Sequence, residues 1–284
     1  MTRIIAIANQ KGGVGKTTTS VNLGASLAKM QRQVLLIDLD PQANATVGCG
    51  IKRGQLTYSV YSVLLGESAV SESLVHANCG VDVLPSESAL AGIQVELTSE
   101  KDRDIRLRNA LAGMKEYDFV LIDCPPSLNV LTINALVAAD SVLIPVQCEY
   151  YALEGLSGLL ETISRVRERS NPGLVIEGLL RTMFDGRNSL SSEVSEQLQQ
   201  HFGEKVFRTV VPRNVRLAEA PSYGKPVIDY DRHCIGTKAY LALAGELIRP
   251  TPIDFSANKA SRSHSAASES NNVVTDTSGS TETW

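Results

Sequence analysis

The sequence predicts an α/β fold, an open, mostly parallel, doubly wound sheet with helices on both faces. Three observations predict it. Short apolar runs rich in β-branched residues alternate with amphipathic stretches, the rhythm of repeated βαβ units. The runs QVLLID (33–38) and DFVLID (118–123) are apolar up to a terminal aspartate, as expected of strands buried on both faces. A glycine-rich segment, NQKGGVGKTTTS (9–20), stands between the first run and the first helical stretch. The chain's 284 residues suit one large α/β domain with a substantial core, and its 43% hydrophobic and 20% charged composition is that of a globular protein.

In chain order the strand candidates are RIIAIA (3–8), QVLLID (33–38), VDVLP (81–85), DFVLID (118–123), SVLIPV (141–146), LVIEGLL (174–180) and KVFRTVV (205–211). Each is short, apolar and β-branched, the composition of a half-buried or buried strand. Helices are expected near 17–30, 58–65, 87–97, 102–114, 152–168, 189–202 and 236–249. In the 152–168 stretch, Leu156, Leu159, Leu160, Ile163 and Val166 recur at helical spacing, which is a core-facing stripe. Composition changes at Pro250-Thr251-Pro252, so the domain is expected to span 1–250. Within 256–283 only Val273 and Val274 are large and apolar. Such a segment cannot bury enough surface to offset the entropy of ordering it, so 251–284 is expected to be a disordered, net acidic tail.

Composition also excludes several classes. The net charge of −4 means that any nucleic-acid contact must come from a local basic patch. Five scattered cysteines (49, 79, 124, 148, 234) contain no C-x-x-C pair, which reads as reduced thiols. No apolar run approaches the ~20 residues needed to cross a bilayer. The chain enters its first strand without a signal-peptide layout, and the expectation is a cytoplasmic protein.

The segment 9–19 follows a strand and opens a helix, the context in which a glycine motif becomes a phosphate loop. Gly12, Gly13 and Gly15 let backbone N–H groups turn towards phosphate oxygens, and the helix start adds its positive end. Lys16 can reach the β- and γ-phosphates, and the Thr17 hydroxyl can ligate Mg²⁺. The common phosphate-loop pattern would put its first glycine at position 10, where this chain has Gln10, followed by a second lysine, Lys11.

Asp38 and Asp123 end two of the apolar strands, where open α/β sheets bind ligands. Asp123 fits the carboxylate that holds Mg²⁺ through water. Asp38 is either a second metal-side carboxylate or a cap for the turn after it. Asp40, two residues on and followed by Pro41, lies in a loop that could orient the attacking water. The chemistry expected is phosphoryl transfer from a nucleoside triphosphate to water, on a sheet of the P-loop NTPase type.

KGGVGKTT (11–18) resembles the deviant Walker A motif of the ParA/MinD group of ATPases, and LIDLDPQANAT (36–46) and LIDCPPSLNVLTINAL (121–136) resemble that group's next motifs. PVQCEYYALEGL (145–156) and VPRNVRLAEAPSYGKPV (211–227) narrow the match to ParA/Soj partition ATPases, over residues 2–249. The resemblance implies that Lys11, Gly12, Gly13, Val14, Gly15, Lys16, Thr17 and Thr18 hold ATP with Mg²⁺. It implies that Pro212 and Asn214 lie beside the adenine, and that Lys11 reaches across a homodimer interface to the partner's nucleotide. Two facing triphosphates repel, and a cation supplied in trans offsets that repulsion.

The resemblance further implies that basic residues matching Arg187 and Arg216 contact DNA phosphate without sequence preference. Arg213 and Lys205 are added from the run KVFRTVVPRNVR (205–216), which lacks acidic residues. No helix-turn-helix is expected ahead of the first strand, so binding should be non-specific and weaken steeply with salt. The implied cycle is an ATP-dependent dimer on the nucleoid, released by hydrolysis that a ParB-type centromere-binding partner accelerates. A membrane-positioning ATPase of the MinD type would need a basic, bulky C-terminal amphipathic helix, and 251–284 offers none. A third class is metabolic, a ligase or nitrogenase-reductase relative using the same loop; an iron–sulfur reductase would need paired cysteine ligands, for which Cys124 alone is a candidate.

Overall fold

A computed structural model describes residues 2–54, 56–150 and 152–249, and the expected tail at 251–284 lies outside these residues. The strands are β1 (Arg3–Ile7), β2 (Val34–Asp38), β3 (Val75–His76), β4 (Asp82–Leu84), β5 (Phe119–Asp123), β6 (Ser141–Gln147), β7 (Val175–Phe184) and β8 (Val206–Pro212). They form one sheet in the order β3-β4-β2-β5-β1-β6-β7-β8. Every pairing is parallel except β3 with β4. All seven expected strands are present, and the two-residue β3 is an addition, too short to leave a sequence signal.

The helices are α1 (Lys16–Lys29), α2 (Asn44–Gly48), α3 (Val60–Leu65), α4 (Ile93–Glu96), α5 (Arg106–Ala110), α6 (Val130–Ala138), α7 (Glu154–Arg169), α8 (Ser189–Phe202), α9 (Val215–Glu219), α10 (Val227–Tyr230) and α11 (Ile235–Ile248). Alternate strand residues face opposite layers. Leu35, Ile37, Val120 and Ile122 join one core with Leu131 of α6 and Leu156, Leu159 and Ile163 of α7. Val34, Leu36, Phe119 and Leu121 join the other with Leu23 and Leu27 of α1 and Leu243 of α11. The sheet is therefore covered on both faces, as the apolar strand runs require.

Some helix boundaries differ from expectation. The 102–114 stretch is helical only over Arg106–Ala110, because Ile105 leaves helical geometry and Gly113 turns with φ 85°. The 87–97 stretch divides into a 3₁₀ turn, Ser88–Gly92, and α4. Helix α6 carried no amphipathic signal because Leu131, Thr132, Asn134, Ala135, Leu136, Val137 and Ala138 are all buried. The short helices α2, α9 and α10 are only four or five residues long, too short to show a helical period.

Strand β1 has β5 on one side and β6 on the other, although β2 follows it in sequence. That reversal opens a crevice at the strands' C-terminal ends, where open α/β sheets hold ligands. The 8–15 loop, Asp38 and Asp123 all emerge there.

Candidate functional site

The loop between β1 and α1 needs its glycines for backbone conformation. Gly13 and Gly15 have φ 74° and 87°, where a side chain would be strained. The Thr182 hydroxyl of β7 donates to the Val14 carbonyl at 2.8 Å, and the Asn9 amide donates to the Pro145 carbonyl at 2.8 Å. The loop is thus pinned from two strands. The amides opening α1 have no helical acceptor by construction and form a place for an anion.

Lys16 is buried, and its ammonium donates to the Lys11 carbonyl at 3.1 Å. Burial pulls its pKa down, against the raising effect of Asp123, Cys124 and Asp40. A cation with one carbonyl partner in a buried loop is positioned to take phosphate oxygens.

Asp38 and Asp123 are register partners on neighbouring strands, and both are fully buried. Asp123 accepts from the Thr17 and Ser20 hydroxyls, each at 2.8 Å. Burial, with the Asp38 charge next, pushes its pKa up to about 8. Asp38 accepts from the Thr46 amide at 2.8 Å, the Thr46 hydroxyl at 2.7 Å and the Asp40 amide at 3.1 Å. Burial pushes it up to about 6 in spite of those donors. The Thr46 hydroxyl also accepts from the Ser86 amide at 3.0 Å, and the Ser86 hydroxyl donates to the Asp40 carbonyl at 2.8 Å. One buried polar web therefore holds both ends of the Asp38–Asp40 turn.

Asp40 lies half-exposed in that turn, and its carboxylate accepts from the Gln42 amide at 2.9 Å. Asp40 also lines a cavity of about 360 Å³, together with Pro41, Gln42, Pro125, Pro126 and Ser127 among others. Ala43 and Met183, flanking the crevice, have φ 52° and 49°, strained values for residues other than glycine. Such strain concentrates where a site constrains the backbone.

The Lys11 ammonium pairs with the Glu149 carboxylate of the same chain at 2.9 Å. Pro212 and Asn214 lie half-buried at the end of β8. The Asn214 side-chain oxygen caps α9 by accepting from the Arg216 amide at 3.0 Å.

Arg187 is 90% exposed and forks onto Asp185 through two bonds of 2.9 Å, which holds Asp185 down at about 2. Arg216 pairs with Glu219 at 2.8 Å and Asp231 at 3.4 Å. The Arg213 amide donates to the Phe184 carbonyl at 3.2 Å, so Arg213 adjoins the loop that carries Arg187. Arg187, Arg213 and Arg216 thus follow the C-terminal ends of β7 and β8. Lys205 precedes β8, about 20 Å away along the strand at ~3.3 Å per residue, and donates to the Ile176 carbonyl. The structure separates it from the arginines.

Ser20, Thr46, Ser86, Thr182 and Glu149 belong to this site and were not singled out from sequence. Ser20 lay closest to hand, since it shares a helical face with Thr17 at i, i+3. Among the described residues no three His, Cys, Asp or Glu side chains group to hold a metal. Cys124 is buried, and burial raises its thiol pKa. No described helix is long and apolar enough to cross a membrane.

Comparison with known proteins fits this geometry. A family described as an AAA domain matches residues 2–176. The chromosome partitioning protein ParA of Caulobacter vibrioides is 54% identical over 250 residues, 87% of this chain and 94% of that protein. The sporulation initiation inhibitor protein Soj of Bacillus subtilis is 53% identical over 249 residues, 87% of this chain and 98% of that protein. Among solved structures, one described as cobyrinic acid a,c-diamide synthase from Mycobacterium smegmatis, with bound ADP and magnesium, superposes with a TM-score of 0.76. It is 39% identical, over 86% of this chain and 93% of that one. The partition proteins are closer in sequence than that synthase and match over nearly their whole length. A phosphate loop with two lysines, closed by paired strand-ending aspartates, and this level of identity lead to one conclusion: the chain belongs to the ParA/Soj family of chromosome-partitioning ATPases.

Proposed function

We propose that this ATPase is a nucleotide-dependent switch. With ATP and Mg²⁺ it forms a homodimer that binds DNA without sequence preference, and hydrolysis, accelerated by a ParB-type centromere-binding protein, releases it. The observation that carries the reading is the second lysine, Lys11, on the rim of a loop whose other lysine, Lys16, is turned inward. On this reading one lysine serves the nucleotide in its own chain, and the other serves a partner's.

The donor set suits a hard cation. The Thr17 hydroxyl and, through water, the Asp123 carboxylate, 2.8 Å apart, would hold Mg²⁺ together with phosphate oxygens. Bound there, Mg²⁺ would neutralise phosphate charge. Lys16 binds the β- and γ-phosphates, while Gly12 to Gly15 and Thr18 cradle them with backbone amides. Asp38 anchors the turn that carries Asp40, and Asp40 orients the attacking water. Pro212 and the Asn214 amide flank the adenine. Arg187, Arg213 and Arg216 contact DNA phosphate, and Lys205 stands apart from them. The working domain is 1–250, in the cytoplasm and on the nucleoid, with no membrane partner.

DNA binding measured with ATP, ADP and no nucleotide across a salt series tests the whole. Binding is expected with ATP alone and should fall steeply with salt. Equal binding in all three states would refute the switch. In the same protein Lys11→Ala should retain ATP binding and lose ATP-dependent dimers on size exclusion.

A further inference from the structure

Three consecutive side chains of the phosphate loop are held by β6, by α7 and by the segment that joins them. The Asn9 amide donates to the Pro145 carbonyl at 2.8 Å, and the Asn9 oxygen accepts from the Lys11 amide at 3.0 Å. Gln10 packs on α7 so closely that a Cβ added at Gly158 would lie 2.6 Å from its amide nitrogen. The Lys11 ammonium meets the Glu149 carboxylate at 2.9 Å, and the Gln147 amide braces the other Glu149 oxygen. The lysine is therefore paired rather than extended into solvent.

We propose that Glu149 is a positioning residue that holds Lys11 within its own subunit and sets the threshold for nucleotide-dependent dimerisation. The proposal rests on the reading that Lys11 acts in trans. A lysine committed to Glu149 cannot also reach a nucleotide across an interface, so each subunit must break one ion pair as the dimer closes. A triphosphate on the facing subunit, with several negative charges, outcompetes one carboxylate. A diphosphate, lacking the γ-phosphate, competes less well. The pair thereby sharpens discrimination between the two nucleotides.

Its size follows from exposure. Lys11 and Glu149 side chains are 34% and 50% exposed, so solvent screens the pair strongly. Exposed pairs of this kind change an equilibrium by about 1.4- to 5-fold each. Two are broken per dimer, so their removal should lower the dimer dissociation constant by about two- to thirty-fold. A weak latch is what a reversible switch requires, since a strong one would hold the protein monomeric at any nucleotide level.

The test is sedimentation of the full chain with ATP or ADP, at low and high salt, for wild type, Glu149→Gln, Glu149→Asp, Lys11→Ala and the Lys11→Ala/Glu149→Gln double variant. Glu149→Gln should dimerise with ATP at a protein concentration two- to thirty-fold below wild type, and the gap should close at high salt as the pair is screened. Glu149→Asp should restore part of the threshold. The double variant should match Lys11→Ala, because the latch acts only through the lysine. Unchanged or weaker dimerisation in Glu149→Gln would overturn the latch. If Lys11→Ala dimerises like wild type, the trans-lysine reading itself fails. If Lys11→Ala loses dimers while Glu149→Gln behaves as wild type, only the latch fails. Circular dichroism melts confirm that each variant is folded.

Discussion

Thr46→Val tests the buried web around Asp38 with little change of shape. The Thr46 hydroxyl donates to Asp38 at 2.7 Å and accepts from the Ser86 amide at 3.0 Å, and both contacts vanish. Leaving the Ser86 N–H unpaired in the interior costs about 1–3 kcal/mol. A hydrogen bond to a charged group contributes about 1.5–3 kcal/mol, but here an escape route limits that loss. With its pKa already up at about 6, Asp38 can take a proton at pH 7 for only about 1.4 kcal/mol. The expected destabilisation is therefore about 2–4 kcal/mol, not the larger sum of two full penalties. Urea denaturation without nucleotide measures it, and Thr46→Ser, which keeps the hydroxyl, should recover most of it. Because Ser86 also binds the Asp40 carbonyl at 2.8 Å, ATP turnover should fall in the valine variant under conditions where it remains folded. A valine variant within 0.5 kcal/mol of wild type, about the usual effect of a neutral surface change, with normal turnover, would refute the argument that this web positions Asp40.

The paired arginines make a second prediction. Asp185→Asn frees Arg187 from its fork, so ATP-state DNA binding should tighten, with a steeper salt dependence by fluorescence anisotropy; Arg187→Ala should weaken it, and indifference to both would take Arg187 out of the DNA surface. A third concerns the sheet. An added Cβ at Gly178 on β7 would lie 2.6 Å from the buried Phe207 ring, so Gly178→Ala should cost about 1–3 kcal/mol in urea, and a neutral result would mean the ring moves freely.

What sequence reading reached and missed divides along chain separation. The strands, the phosphate loop and the strand-ending Asp38 and Asp123 were legible because each signal lies within about a dozen residues. The partners of those aspartates were harder. Thr46 reaches Ser86 across 40 residues, and Lys11 reaches Glu149 across 138, distances over which no local pattern operates. Helix α6 failed for a different reason: a helix buried on nearly every side shows no polar face to set its period. The Arg187–Asp185 pair, two residues apart, was present in the FDGRNS segment, yet reading basic residues alone hid the carboxylate that neutralises them.

The two aspartates at the centre also set a conflict between stability and use. Asp123 has no solvent contact, has Asp38 beside it in register, and is pushed up to about 8. In the unfolded chain it would release its proton near 3.8. Between those values the folded, nucleotide-free protein binds more protons than the unfolded one, so stability must fall as pH rises, by at most about 1.4 kcal/mol per pH unit for this group. Asp123→Asn cannot ionise, so its stability relative to wild type should grow from pH 6 to pH 8 and level off above. Thermal melts without nucleotide or metal give that difference directly. Adding Mg²⁺ with ATP favours the charged carboxylate and should flatten the wild-type dependence, while leaving the asparagine variant unchanged and inactive. If wild type and Asp123→Asn follow parallel stability curves between pH 6 and pH 8, the carboxylate is already charged in the empty site, and the cost of burying it is met by some other group. Should the curves diverge as derived, the empty crevice is a place of stored electrostatic strain that its own ligand relieves, which is why a residue harmful to the resting protein would sit at its centre.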